Sequence, residues 1–334
     1  MRVVVFGATG NVGMSLMDLL RQDPDVDELH GVARRPPVGG RNDDRVTWSA
    51  ADIRRDDLVP IVRGADVVVH LAWAIQPSHD PESLYQTNVA GSRRVFDAVA
   101  DARVPALVYA SSVGTYARGP KNRAVDETWP ATGIKTSFYS RHKAAVETML
   151  NVFEWDLPAV RVVRLRPGLI FKRRSGAEQA SLFLGPLFPR ALADPRRIPV
   201  VPSHPRLRFQ AVHTDDVADA YRRAIAGDVH GPFNVAADPV IDSRELARLL
   251  HARAVPVPAA AMRAAVRASW RLHLQPTPPG WVDMGLGVPI MDCSRAGKRL
   301  GWRPERTSTE ALLDVLGGIR DDAREETPAM TAPG

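Results

Sequence analysis

Continuous apolar runs, rather than alternating apolar and polar positions, set the pattern of the first half of the chain. Arg2–Phe6, Leu29–Ala33, Val46–Ser49, Ala65–Leu71, Ala106–Ala110 and Ala159–Arg164 each read as a strand. A strand apolar at every position is covered on both faces, as parallel strands are. Helical periodicity fills the gaps, over Val12–Gln22, Ser83–Ala102 and Phe138–Trp155. Strand alternating with helix predicts an α/β fold with a doubly wound parallel sheet.

The rhythm changes after Phe171. Residues 172–206 are rich in Pro, Arg and Leu and read as an excursion from the sheet. Phe209–His213 and Phe233–Ala236 read as strands and Asp215–Ala226 as a helix. Ser243 is placed as the N-cap of a helix Arg244–Ala252, and Ala259–Leu272 as a helix among proline breaks. Residues 1–171 and 207–236 are therefore assigned to the sheet core. Residues 172–206 and 237–322 are assigned to a smaller, discontinuous C-terminal substrate-binding lobe, and 323–334 to a flexible tail.

Composition narrows the class. At 334 residues the chain exceeds one core of about 150 residues. Hydrophobic residues at 45% and charged residues at 25% exclude a disordered or collagenous chain. The single cysteine, Cys293, excludes an internal disulfide. No run approaches the roughly 18 apolar residues of a membrane helix, and the chain enters Val3-Val4-Val5-Phe6 without a signal-peptide pattern, so a cytoplasmic protein with no membrane partner is expected. Net charge is +6, but only five of the 44 basic residues are lysines and the arginines are interleaved with acids. That bias needs no nucleic acid to explain it. The nine histidines show no metal-ligand spacing, so no metal is expected.

Candidate chemistry begins at Gly7-Ala8-Thr9-Gly10-Asn11-Val12-Gly13, which leaves the first strand and opens the first helix. Glycines there permit a tight turn, close approach of a pyrophosphate and close helix–strand packing, while the helix N-terminus favours phosphate. The strand–turn–helix context makes this a Rossmann-type dinucleotide turn. The second strand ends Val32-Ala33-Arg34-Arg35, with arginines where an acid would grip the ribose 2′-hydroxyl of NAD. Guanidinium suits a 2′-phosphate, so NADP is favoured with NAD as the alternative. Arg34 and Arg35 are the basic residues tied here to a specific ligand. Lys172, Arg173, Arg174, Arg190, Arg196, Arg197, Arg206 and Arg208, in the substrate lobe, read as a solvated basic surface.

Tyr139 and Lys143 are four apart in a helical stretch and so share a face. With five tyrosines and five lysines, about 0.07 such pairs arise by chance. A tyrosine needs help to exchange protons near neutral pH, and an adjacent ammonium stabilises its phenolate. Leu107-Val108-Tyr109-Ala110-Ser111-Ser112 ends a strand on a hydroxyl, at the end of the sheet where ligands bind.

These residues together resemble the extended short-chain dehydrogenase/reductase family, also called the NAD-dependent epimerase/dehydratase family. The likeness runs through Gly7, Gly10 and Gly13; Asp52-Ile53; His70-Leu71-Ala72-Trp73; Thr87-Asn88-Val89-Ala90-Gly91; Ala110-Ser111-Ser112; Tyr139 with Lys143; Arg166-Pro167-Gly168; Val212–Ala218; and Leu300–Pro304. It implies catalytic Ser112, Tyr139 and Lys143, with Tyr139 passing the proton, Ser112 orienting the substrate oxygen and Lys143 holding the nicotinamide ribose. It implies cofactor contacts from Thr9, Asn11, Val12, Asp52, Ile53, Leu71, Ala72, Trp73 and Pro167, with Asn88 organising backbone. Trp73 and Tyr116 read equally as walls of an apolar substrate pocket beside Ser112 and as core packing, and the helices Ser83–Ala102 and Phe138–Trp155 resemble a homodimer interface. Pro167 stands where nucleotide-sugar enzymes of the family carry an asparagine, which disfavours such a substrate. The expected activity is hydride transfer between nicotinamide and a small-molecule carbonyl or alcohol. An epimerase or dehydratase that recycles its cofactor, and a non-catalytic NADP-binding regulator, are the alternatives.

Overall fold

A computed structural model describes residues 1–37, 44–75, 80–184 and 198–323. Seven parallel strands form the central sheet in the spatial order Gly231–Val235, Arg161–Pro167, Ala106–Ala110, Val67–His70, Arg2–Phe6, Glu28–Ala33, Val46–Ala50. The chain starts in the middle, at Arg2–Phe6, and winds outward in both directions. The strand order reverses there, which places the glycine turn at the switch point where ligands bind.

The first strand shows why the runs are continuously apolar. Val3 and Val5 enter one core cluster with Leu16 and Tyr221, under the helices Asn11–Leu20 and Thr214–Ala226. Val4 and Phe6 enter another with Val95, Phe96 and Val146, under the opposite helices. Alternate side chains point to opposite faces, and both faces are covered.

Several boundaries differ from those read in the sequence, each for a local reason. The strand expected over Phe209–His213 is two short strands, Arg208–Phe209 and Ala211–His213. Gln210 between them turns its amide to the backbone of Met291, accepting from N–H at 2.8 Å and donating to C=O at 3.1 Å. Asp242, not Ser243, caps the helix Ser243–Leu249, accepting from the N–H groups of Arg244 and Glu245 at 2.9 Å each. The carboxylate reaches two orphan donors, so the helix starts one residue early. The helix expected over Ser83–Ala102 starts at Pro81, capped by Asp80, and contains a π turn over Gln86–Ala90. The strand expected over Ala159–Arg164 runs from Arg161 to Pro167.

Smaller pairs extend the fold beyond the sheet: Leu169–Phe171 with Ala211–His213, Val200–Ser203 with Arg253–Pro256, and Ala124–Val125 with Ile290–Met291. The last helix, Ser308–Arg320, begins with a capping box between Thr307 and Glu310. Arg190, Arg196 and Arg197 lie outside the described residues, as does the expected flexible tail except residue 323. Among the described residues, no helix is long and apolar enough to cross a membrane.

Candidate active site

The glycine turn is built by close approaches that side chains would block. Gly7 has φ +80°, and a Cβ there would meet the Ala72 backbone nitrogen at 2.6 Å. A Cβ on Gly13 would meet the Gly7 carbonyl oxygen at 2.4 Å. The helix Asn11–Leu20 then starts at Gly10 with no side-chain cap and no acid in its first turn. Its first backbone N–H groups and dipole suit an anion, so the turn fits a dinucleotide phosphate. Thr9 is buried beside it. Asn11 is held from the far side, its Oδ1 accepting from the Thr214 hydroxyl at 3.2 Å and its carbonyl from Lys172 Nζ at 3.2 Å.

Opposite the turn lies the loop after Val67–His70, carrying Leu71, Ala72 and Trp73. Asn88 is fully buried in the π turn and pins this loop, accepting from the Ala74 N–H at 2.7 Å and donating to the Ala74 carbonyl at 2.9 Å. These two hydrogen bonds tie the π turn to the loop that carries Trp73. Arg34 and Arg35 are exposed at the end of the second strand. Asp52, buried nearby, is gripped by Arg54 at 2.6 Å, which holds its carboxyl below the usual range. Ile53 packs where a Cβ on Gly91 would meet it at 2.8 Å. Pro167 is buried at the end of its strand.

Ser112, Tyr139 and Lys143 converge at the carboxyl ends of the strands and are 7%, 8% and 3% exposed. Ser137 caps the helix Phe138–Asp156, which presents Tyr139 and Lys143 on one face. Gly114 allows the tyrosine in, since a Cβ there would meet the Tyr139 ring at 2.7 Å. Ser112 Oγ accepts from the Gly114 N–H at 3.0 Å and hydrogen-bonds Tyr139. Lys143 Nζ donates to the Ala110 carbonyl at 2.6 Å and lies 3.4 Å from the centre of the Trp73 ring.

The electrostatics depart from the simple Tyr–Lys expectation. Burial pushes Tyr139 up to about 12, and the Ser112 hydrogen bond offsets only part of that. Lys143 is itself held well below the usual lysine value by burial, partly countered by the charge of Glu147. Its amino group is turned to Ala110 and Trp73 and does not draw the tyrosine down in this state. Tyr139 is therefore a neutral phenol in this state.

Tyr116, expected at the substrate, sits elsewhere. It is fully buried, donating to Asn234 Oδ1 at 2.6 Å and accepting from Arg166 at 3.0 Å. Its hydroxyl is spent on the core and does not face Tyr139.

Two features escaped the sequence reading. Glu147, 2% exposed, continues the four-residue spacing of Tyr139 and Lys143 and accepts from Ser111 Oγ at 2.5 Å and from Arg166 Nε at 2.8 Å. The spacing was a usable signal. Trp281 lies over Tyr139 with ring centroids 5.0 Å apart at 37°. Only the helix-start pattern Pro278-Pro279-Gly280 hinted at its element.

The chain is similar to several proteins of known activity. L-arabinose 1-dehydrogenase (NAD(P)(+)) of Haloferax volcanii is 29% identical over 180 residues, covering 50% of this chain and 66% of that protein. UDP-glucose 4-epimerase of Mycolicibacterium smegmatis is 27% identical over 337 residues, covering 97% of this chain and all of that protein (100%). The solved UDP-N-acetylglucosamine 4-epimerase from Methanobrevibacter ruminantium M1 shares the fold, with a TM-score of 0.71 at 18% identity over 96% of this chain and 98% of that one. The model of the NAD dependent epimerase/dehydratase family matches residues 3–236, from the first strand through the glycine turn, Ser112, Tyr139 and Lys143 to the far edge of the sheet. The chain belongs to the NAD-dependent epimerase/dehydratase family, whose members are NAD(P)-dependent extended short-chain dehydrogenase/reductase enzymes.

Proposed function

We propose that the protein is an NADP-preferring reductase that converts a small-molecule carbonyl to an alcohol. The observation that carries this reading is the convergence of buried Ser112, Tyr139 and Lys143 at the carboxyl ends of the strands. Reduction needs an acid at the carbonyl oxygen, and a protonated tyrosine supplies one. Bound nicotinamide supplies the hydride to the carbonyl carbon. Ser112 donates to the same oxygen and orients it, and Tyr139 delivers the proton that completes the alcohol. Lys143 holds the ribose once it leaves the Trp73 face. The turn from Gly7 to Gly13 would hold the pyrophosphate, with Thr9, Asn11 and Val12 at its helix end. Asp52 and Ile53 would border the adenine, and Leu71, Ala72, Trp73 and Pro167 would flank the nicotinamide half. Exposed Arg34 and Arg35, with no acid at that strand end, support NADP.

A second reading, epimerisation with a recycled cofactor, is favoured by the full-length similarity to a UDP-glucose 4-epimerase. The helices Pro81–Asp101 and Phe138–Asp156 form the proposed homodimer face, where Val152 is exposed and Trp155 is 85% exposed. Titration of the purified protein with NADPH and NADH tests the cofactor assignment. Tighter NADPH binding is expected, and NADH binding tenfold tighter than NADPH would overturn it.

A further inference from the structure

The walls around Tyr139 are unusually aromatic. Trp281 stacks on its ring, and Trp73 meets it edge-on with centroids 6.0 Å apart at 75°. Phe183 and Phe138 stand edge-on to Trp281 at 5.1 and 6.3 Å. Met284 and Val288 are buried in the same cluster. The position of Trp281 is fixed from behind. A Cβ on Gly280 would meet the Thr136 carbonyl oxygen at 2.2 Å, so the helix Gly280–Gly287 starts directly against the backbone that leads into the Tyr139 helix.

Two donors in this cluster have nothing to bind. The indole Nε1 atoms of Trp73 and Trp281 are shielded from solvent and meet no acceptor among the described residues. A buried tryptophan N–H ordinarily finds a partner. Here two orphan donors flank the tyrosine assigned to the proton transfer, which places the missing acceptors on a ligand.

Three cations beside the Trp281 helix are committed to the protein itself. Arg206 donates to the carbonyls of Leu286 at 2.7 Å, Gly119 at 2.8 Å and Gly287 at 3.3 Å. Lys121 donates to the carbonyls of Arg208 at 2.7 Å and Gly285 at 2.9 Å, and Arg263 pairs with Asp283 at 3.0 Å. Cations spent this way do not grip a diphosphate.

We infer that the site takes a flat, largely apolar carbonyl compound rather than a nucleotide sugar, and that Trp281 selects it. The indole is the wall against which the substrate ring lies, and its N–H donates to a substrate oxygen. This inference rests on the reading of Tyr139 as the group facing the reacting carbonyl.

The test is calorimetric titration of the full chain saturated with NADP, which cannot reduce a ketone, using tetralone as the flat probe and UDP-glucose as the nucleotide sugar. Tetralone is expected to bind at least about tenfold more tightly, and Trp281→Ala to weaken it by about tenfold, the scale of one lost aromatic contact with its area. Trp281→Phe keeps the flat wall and removes the donor, so a smaller loss of a few fold is expected. NADP affinity and the thermal midpoint of each variant show that it folds. Tighter binding of UDP-glucose, no tetralone binding by an NADP-loaded protein, or undiminished tetralone binding in Trp281→Ala would each overturn the inference. Failure to bind NADP would overturn the cofactor reading beneath it, and this inference with it.

Discussion

Replacing Glu147 by Gln tests whether the buried charges under the active-site helix hold the sheet and that helix together. Both carboxylate oxygens are in use. Oε1 accepts from Ser111 Oγ at 2.5 Å and Arg166 Nε at 2.8 Å, and Oε2 accepts from the other Arg166 arm at 2.7 Å and from Arg164 at 3.3 Å. Arg164 and Arg166 are themselves buried, two apart on the same face of a central strand. Glutamine keeps the shape but removes the charge and turns an amide donor toward guanidinium donors. Arg164 retains Glu154 and Asn151, while Arg166 retains only the uncharged Tyr116 hydroxyl and the Glu127 carbonyl. Breaking a buried pair from one side costs about 3–5 kcal/mol. At roughly 2–4 °C per kcal/mol, the thermal midpoint falls by about 10 °C.

The pH dependence of that loss has a definite sign. Burial alone raises the Glu147 carboxyl, but the hydrogen bond and charge of Arg166, the charge of Arg164 and the Ser111 hydrogen bond together bring it below the ordinary glutamate value. A carboxylate lowered by folding stabilises above its unfolded pKa of about 4.3, and that stability is lost as pH falls through the lower folded value. The gap between wild type and Glu147→Gln should therefore be full at neutral pH and close below about pH 4. Urea unfolding at several pH values reads it directly. A neutral-pH loss under about 1 kcal/mol, or a gap that widens in acid, would refute the reasoning.

Gly13→Ala should destabilise the fold and weaken cofactor binding together, because its Cβ meets two backbone oxygens, Gly7 at 2.4 Å and Ala8 at 2.6 Å; thermal melts and cofactor titration check both. Replacing Arg34 and Arg35 by alanine should weaken NADPH by about tenfold or more while leaving NADH nearly unchanged, the loss of a charge-assisted phosphate grip; equal losses for both cofactors would count against the 2′-phosphate assignment. Trp155→Asp should shift sedimentation from dimer to monomer if the exposed face of Phe138–Asp156 is the homodimer contact, and an unchanged sedimentation coefficient places the contact elsewhere.

The parts of the fold that could be read from the sequence are those where one physical requirement sets the residue type. Val67-Val68-Val69 must be apolar on both faces, and Gly7 and Gly13 must lack side chains for the backbone approaches at their positions. Tyr139 and Lys143 share a helix face by spacing alone. What was not legible depends on partners distant in the chain. Tyr116 reads as a pocket residue beside Ser112 until Asn234 and Arg166 are seen to hold its hydroxyl. Arg164 and Arg166 read as ordinary members of an arginine-rich chain until Glu147 faces them. Asp242 and Ser243 are both competent caps, and only backbone direction chooses between them. The charge state of the Tyr–Lys pair depends on burial and on Trp73, neither of which the spacing encodes.

The proposed reaction is net reduction with Tyr139 as the acid. Its most direct test is to supply NADPH deuterated at the transferring position of the nicotinamide, with a panel of flat ketones, to wild type and Tyr139→Phe. Stoichiometric NADPH consumption with deuterium at the new carbinol carbon is expected. Turnover in the variant should fall by about 10²–10⁴-fold, with NADPH affinity retained. Turnover retained in Tyr139→Phe, or substrate inverted with no net NADPH consumed, would contradict it.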